Sequence, residues 1–228
     1  MTEAPQHTRP NFVLAMTGAS GSIYALRLLQ VLLAGDRRVH LSISPAAALV
    51  LRQELGVEID LARLDPRSLP LEPDSRAFAN LPPAMAEVLG GSLPASSQRG
   101  EMVYHHFENL LAPIASGSFL TAGMVICPCS GSTLGAVVHG TGENLIHRAA
   151  SVHLKERRKL VVVPRETPLS TIQLENMRRA AEAGAVVLPA MPGFYHGVNS
   201  IRDLVDFVVA RICDQLGIAN TLVHRWGT

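Results

Sequence analysis

Arg165 and Glu166 stand directly after the apolar run 160–163 and before Thr167-Pro168, so a guanidinium and a carboxylate share the end of an expected strand. A second cluster, Thr17-Gly18-Ala19-Ser20-Gly21, follows the apolar run 12–16. Small residues in such a turn let backbone N–H groups approach a phosphate, and an arginine from another strand end can close over the same anion through paired N–H bonds. Glu166 is then a candidate acid or base. Ser130-Gly131-Ser132-Thr133 repeats the theme, with hydroxyls and backbone N–H groups where a helix dipole also favours an anion. Taken singly, each serine reads more readily as a plain helix cap than as a ligand.

These clusters need strands to carry them. Residues 12–16 form a short apolar strand, and 22–34 place apolar residues at helical spacing. Residues 39–44 alternate into a second strand that ends at Ser44, and Pro45 opens an alanine-rich helix over 46–55. Further strands are expected at 102–107, 124–126, 160–163 and 185–188, with helices beginning near Ser130 and over 145–157, 169–183 and 201–216. Strands alternating with helices imply a three-layer, doubly wound parallel sheet of the Rossmann-like or flavodoxin-like kind. Ligands of such a sheet bind beyond the carboxyl ends of the strands, where the strand order switches. The Gly18 turn, Ser44, Ser130 to Thr133, Arg165-Glu166 and Pro192-Gly193-Phe194-Tyr195 each follow an expected strand, so they can converge there.

Between about 56 and 100 this alternation breaks down. Pro66, Pro70, Pro73, Pro82, Pro83 and Pro94, with Gly90-Gly91, exclude a long regular element, although a short helix fits 84–89. The reading is an irregular surface excursion or oligomer contact, with a lid as the alternative.

With 228 residues, 47% of them hydrophobic, the chain has material for one α/β domain over 1–228 with a full core. The 20 basic residues balance 19 acidic ones, which excludes a broad nucleic-acid-binding surface and makes any anion site local. No apolar stretch approaches the roughly 18 residues of a membrane span, so a soluble, cytoplasmic protein is expected. Two of the 3 cysteines lie in Cys127-Pro128-Cys129, where buried thiols are expected rather than a disulfide or metal site. The 9 histidines show no HExxH spacing, and surface or loop roles are expected for them, the pair His105-His106, which a strand would turn to opposite faces, included. The turn 18–21 is not GxGxxG, and the second strand ends in Ser44 where a dinucleotide fold would place a carboxylate for the ribose. A mononucleotide phosphate fits better than a dinucleotide.

At this level of detail the chain resembles the UbiX-type flavin prenyltransferases, homo-oligomeric flavin-binding proteins of Rossmann-like fold. The resemblance covers residues 12–55 and 115 to the end. It rests on Met16-Thr17-Gly18-Ala19-Ser20-Gly21, Cys127-Pro128-Cys129-Ser130, Asn144-Leu145-Ile146 with Arg148-Ala149-Ala150, Leu154-Lys155-Glu156-Arg157, Pro164-Arg165-Glu166-Thr167-Pro168, Asn176-Met177 and Pro192-Gly193-Phe194-Tyr195. The resemblance implies transfer of a dimethylallyl group from dimethylallyl phosphate to N5 and C6 of reduced FMN, giving prenylated FMN for a UbiD-type decarboxylase. It also implies a homo-oligomer, a dodecamer with active sites at subunit contacts, and no metal. By the same resemblance Gly18, Ala19, Ser20, Ser44, Ser130, Gly131, Ser132, Thr133 and Arg165 hold FMN. Lys155, Arg148, Glu166, Tyr195 and Arg211 surround the prenyl phosphate, with Glu166, Lys155, Glu54 and Ser20 as catalytic candidates.

The residue types suit that reaction. Breaking an allylic C–O bond leaves phosphate as an anion and an electron-poor carbon fragment, so cations are needed at one end and π-faces at the other. Lys155, Arg148 and Arg211 supply cations, Tyr195 a hydroxyl, and Trp226, the only tryptophan, an indole face if the C-terminal tail folds over the site. The chain departs from the family in a long stretch between Glu54 and Ala115 and in Pro45, where many members carry a polar residue. Two rival functions use the same fold: a flavin-dependent decarboxylase of cysteine-type substrates, and a noncatalytic FMN carrier. The first carries a histidine soon after the first strand, where this chain has Ser20-Gly21-Ser22-Ile23, and a carrier needs no cations for a prenyl phosphate.

Overall fold

A computed structural model describes residues 9–91, 100–225 and 227. Its central sheet holds six strands, β1 (Asn11–Met16), β2 (Arg38–Ile43), β3 (Glu101–Tyr104), β4 (Gly123–Cys129), β5 (Leu160–Pro164) and β6 (Val186–Val187), in the spatial order β3-β2-β1-β4-β5-β6. All neighbouring pairs are parallel. The order reverses between β1 and β4, and that is where a doubly wound sheet leaves a crevice for ligands.

The strands read as continuous apolar runs because both faces are covered. On one face Leu14, Met16, Leu41 and Ile43 pack with residues of α1 (Ser22–Ala34), α2 (Pro45–Leu55) and α8 (Ile201–Gln215). On the other, Val13, Ala15, Met124 and Ile126 pack with α5 (Gly131–His139) and α6 (Leu145–Lys155), while α7 (Thr171–Glu182) lies against α5. The three layers are those expected from the alternation of elements.

Several boundaries move for local reasons. Ser44 is the cap of α2 rather than strand, its Oγ accepting from Ala47 N at 3.2 Å, and Pro45 sits harmlessly in the first turn, so the departure at Pro45 leaves this junction regular. The seventh helix starts at Thr171 instead of 169 because Ser170 and Gln173 form a capping box. The sixth ends at Lys155, two residues before Arg157 takes a left-handed φ of 52°.

The excursion after Gly56 is more than surface. It holds a 3-10 turn and two short helices, α3 (Arg76–Ala79) and α4 (Pro83–Gly90), and it sends Val57, Leu69, Leu81, Val88 and Leu89 into the main core. Gln30 of α1 fastens it, donating to Leu71 O at 3.0 Å and Leu89 O at 2.9 Å. Proline breaks regular structure but does not stop apolar side chains from being buried. Pro94 and the last part of the excursion lie outside the described residues. Beneath α4, fully buried Arg27 forms a bidentate pair with Asp206 of α8 at 2.7 and 3.2 Å, locking α1 to α8.

The histidines also depart from expectation. His40 of β2 is 4% exposed, stacked on His105 with Nδ1 2.8 Å from His105 Nε2. Burial, then the neighbouring His105, pushes the pKa of His40 down to about 4. Strand alternation turns His40 to the face opposite Val39 and Leu41, which is why a polar ring fits inside an otherwise apolar strand.

Candidate active site

The site grows from the carboxyl ends of β1, β4 and β5. Thr17, which follows β1, is buried; its Oγ1 donates to Pro128 O at 2.8 Å and accepts from Ser130 N at 2.8 Å, so the turns after β1 and β4 are bolted together at the switch point. Ser44 N donates to Met16 O at 3.0 Å and brings the end of β2 alongside. From β5, Arg165 Nε reaches Ser20 O at 3.3 Å. The strand-end clusters at Gly18, Ser44, Ser130 and Arg165 therefore do converge.

Glycine is required in this turn. A Cβ on Gly18 would lie 2.5 Å from Ala46 Cβ, and Gly21 has a φ of 108°, open to few other residues. At α5, Ser130 Oγ caps the helix by accepting from Thr133 N at 3.3 Å and lies 3.1 Å from Ser132 Oγ and 3.0 Å from Thr133 Oγ1. Three hydroxyls at one helix start form an anion cradle. The hydroxyl of Ser20 is exposed, and Arg165 uses only Nε within the described residues, so the rest of its guanidinium is available to an anion.

Glu54 takes a place that its sequence position does not reveal. Its carboxylate accepts from Gly21 N at 2.9 and 3.1 Å and from Ser22 N at 2.9 Å, capping α1 from the last turn of α2. A carboxylate thus already occupies that helix start, whereas the start of α5 holds only neutral hydroxyls. Glu166 is exposed beside Arg165; its Oε2 accepts from Gln173 Nε2 at 3.3 Å. The oxygen of the same Gln173 amide completes the capping box at Ser170 N, 2.8 Å away. Gln173 was left out by the sequence reading, and Thr17, read there as part of the turn, was given no bonding role. The Ser170-x-x-Gln173 spacing marks the cap, but nothing in it marks the second contact.

Lys155 and Arg211 are not brought to this edge by one copy of the chain. Lys155 ends α6, and Lys159, a few residues on, bonds through its O to Met124 N at 2.9 Å, beside the amino ends of β4 and β5. Lys155 Nζ pairs with Glu156 at 2.9 Å, and Arg148 Nε donates to Ala115 O at 3.0 Å. Arg211 pairs with Asp214 at 2.9 Å near the end of α8, close to Leu216, which lies against Gly123 at the start of β4. Lys155 and Arg211 are therefore at the opposite end of the sheet from Arg165 and Glu166. Tyr195 is exposed after β6, its ring edge-on to Phe207 of α8 with centroids 5.7 Å apart. Exposed Phe194 and Met191 extend this apolar patch toward Arg165 and Glu166, which share a small cleft with Met191. Trp226 lies outside the described residues.

Comparison with known proteins agrees with the motifs. A family profile described as Flavoprotein matches residues 2–213. A flavin prenyltransferase UbiX of Pseudomonas aeruginosa is 48% identical over 94% of this chain and 92% of its own length. One from Methanothermobacter thermautotrophicus is 41% identical over 94% of both. The crystal structure of AnUbiX (PadA1) in complex with FMN and dimethylallyl pyrophosphate superposes with a TM-score of 0.75, at 33% identity over 97% of this chain and 99% of that one. A dodecameric, FMN-dependent UbiX-like decarboxylase from Escherichia coli O157:H7 gives a TM-score of 0.74 at 34% identity, covering 96% and 100%. Identity at this level along nearly the whole length, with the glycine turn and the Arg165-Glu166 strand end in place, makes this chain a member of the flavin prenyltransferase family of flavoproteins.

Proposed function

We propose that the protein transfers a dimethylallyl group from its phosphate ester, the monophosphate, to reduced FMN. The observation that carries this is the strand-end cradle: a glycine turn that excludes any side chain at Gly18, three hydroxyls at the start of α5, and an arginine over the turn. This donor set fits a single phosphate group with a ring system beside it.

Reduced FMN, when bound, supplies the nucleophilic N5 and C6 atoms that receive the prenyl carbons. In this reading Ser20, Ser44, Ser130, Gly131, Ser132, Thr133 and Arg165 hold the flavin, with Gly18 and Ala19 giving backbone approach. Glu166, oriented by Gln173, takes up or returns a proton at the carboxylate next to that arginine. Lys155, Arg148 and Arg211 neutralise the departing phosphate, and Tyr195 hydrogen-bonds it.

Lys155 and Arg211 stand away from Glu166 in one copy, so the reading calls for a homo-oligomer in which a neighbouring copy supplies them. A relative described as dodecameric and exposed apolar side chains at Met191, Phe194 and Tyr195 support this. A site closed between copies also shields a reactive allyl fragment from water. The product's consumer is a UbiD-type decarboxylase. No helix among the described residues is long and apolar enough to cross a membrane.

Substitution of Glu166 by Gln tests the catalytic reading. Prenyl transfer is expected to fall by about a hundredfold with FMN affinity retained. Full product formation by that variant would remove Glu166 from the chemistry.

A further inference from the structure

Residues 115–121, which lead into β4, are held at close intervals by side chains from α6, the turn after it and the sheet. Arg148 takes Ala115 O, Arg158 donates to both Gly117 O and Phe119 O, and Asn11 Nδ2 reaches Leu120 O at 3.3 Å. The Phe119 ring stands edge-on to His40, centroids 5.1 Å apart. The last tie is Thr121 Oγ1 to His153 Nε2, 2.8 Å.

His153 is 1% exposed, with Nδ1 2.7 Å from Ala149 O, one turn back along α6. A carbonyl only accepts, so Nδ1 carries the proton. Burial outweighs the Ala149 hydrogen bond and, with Arg158 nearby, lowers the imidazole pKa; the ring is neutral and Nε2 accepts from the Thr121 hydroxyl. His153 is thus a rigid spacer between the helix that bears Arg148 and Lys155 and the segment beside it.

That segment directly faces the lysine. A Cβ on Gly117 would lie 2.2 Å from Glu156 Oε1 and 3.1 Å from Lys155 Nζ, so bare backbone abuts the ammonium. A shift of a few tenths of an ångström in residues 115–121 changes the space in which an anion meets Lys155.

We infer that Thr121 and His153 are positioning residues for the prenyl donor: their hydrogen bond fixes residues 115–121 against α6 and so sets the distance between the Gly117 backbone and Lys155. The inference rests on the reading of Lys155 as a ligand of the donor phosphate. Neither residue touches reacting atoms. The flavin cradle, on the other edge of the sheet, is built from different elements and does not depend on this clasp.

Valine keeps the shape of Thr121 and removes the hydroxyl, leaving Nε2 a buried acceptor without a partner, whereas serine keeps the hydroxyl. Steady-state kinetics on the assembled protein with reduced FMN and dimethylallyl phosphate, together with FMN titration, separate the outcomes. Thr121→Val is expected to raise the donor KM roughly fivefold with FMN affinity unchanged, and Thr121→Ser to restore the wild-type KM. An unchanged donor KM in Thr121→Val, or a parallel loss of FMN affinity, overturns the inference. Wild-type protein that binds FMN yet transfers no prenyl group instead overturns the underlying reading, and the inference falls with it.

Discussion

Mixing two inactive variants gives a quantitative test of where the site is assembled. Lys155 is beside the amino end of β5 and Glu166 just past its carboxyl end; the strand has five residues, which at about 3.3 Å each separates the two by roughly 16 Å along the sheet. Within one copy, Lys155 Nζ is turned to Glu156 and the Gly117 backbone, away from the Arg165 edge. On the proposed reading, a working site draws Glu166 from one copy and Lys155 from another. Lys155→Ala and Glu166→Gln chains, co-expressed in equal amounts and assembled at random, each leave a given position intact about half the time. About one quarter of the sites receive both native residues, and activity recovers to about that fraction of wild type. If one copy supplied both residues, every copy would carry a lesion and no site would be whole. Differential tags confirm co-assembly, and prenylated flavin is counted by absorbance and mass. Mixed assemblies as inactive as their parents refute the reasoning.

Three other outcomes follow from single contacts. Gly18→Ala forces a methyl into a 2.5 Å approach with Ala46, so the turn must move; FMN affinity is expected to fall by about tenfold or more in a fluorescence titration. Arg27→Ala removes the buried bidentate pair and leaves Asp206 to Arg202 at 3.3 Å, so it is expected to cost about 3 kcal/mol in thermal or urea unfolding, while joint replacement of Arg27 by Met and Asp206 by Leu recovers much of it. His40 makes stability depend on pH. With its folded pKa lowered to about 4, the unfolded chain binds the extra proton between about pH 6.5 and 4, so stability falls on acidification through that window. His40→Gln is expected to flatten that slope, and an unaltered slope would assign it to other groups.

The parts of this protein that were legible in its sequence are those set by local rules. Residues 12–16 and 160–163 are apolar on every side because both faces of the sheet are covered, and that pattern gave the layers and the parallel order. Gly18, Gly21, Ser130 and Arg165 were legible as a convergent set because each follows a strand end, where tight turns and helix caps restrict residue type. Long-range pairings were not. Glu54 reads as a helix-end charge, and only the packing of α2 beside α1 brings its carboxylate to Gly21 N and Ser22 N. His40 and His153 look like surface residues by composition, yet each finds a neutral partner inside, the first in His105 and the second in Thr121. The proline-rich excursion hid its buried leucines because breaking signals report backbone regularity and not burial. Lys155 and Glu166 stand in neighbouring motifs but at opposite ends of the sheet, because sequence spacing does not record which end of an element a residue occupies.

Purified protein incubated without oxygen with reduced FMN and dimethylallyl phosphate, its flavin then released and weighed by mass spectrometry, is expected to yield FMN heavier by one five-carbon prenyl unit. Flavin of unchanged mass, from protein shown to bind FMN and supplied with either the monophosphate or the diphosphate, would contradict the account and favour an FMN carrier.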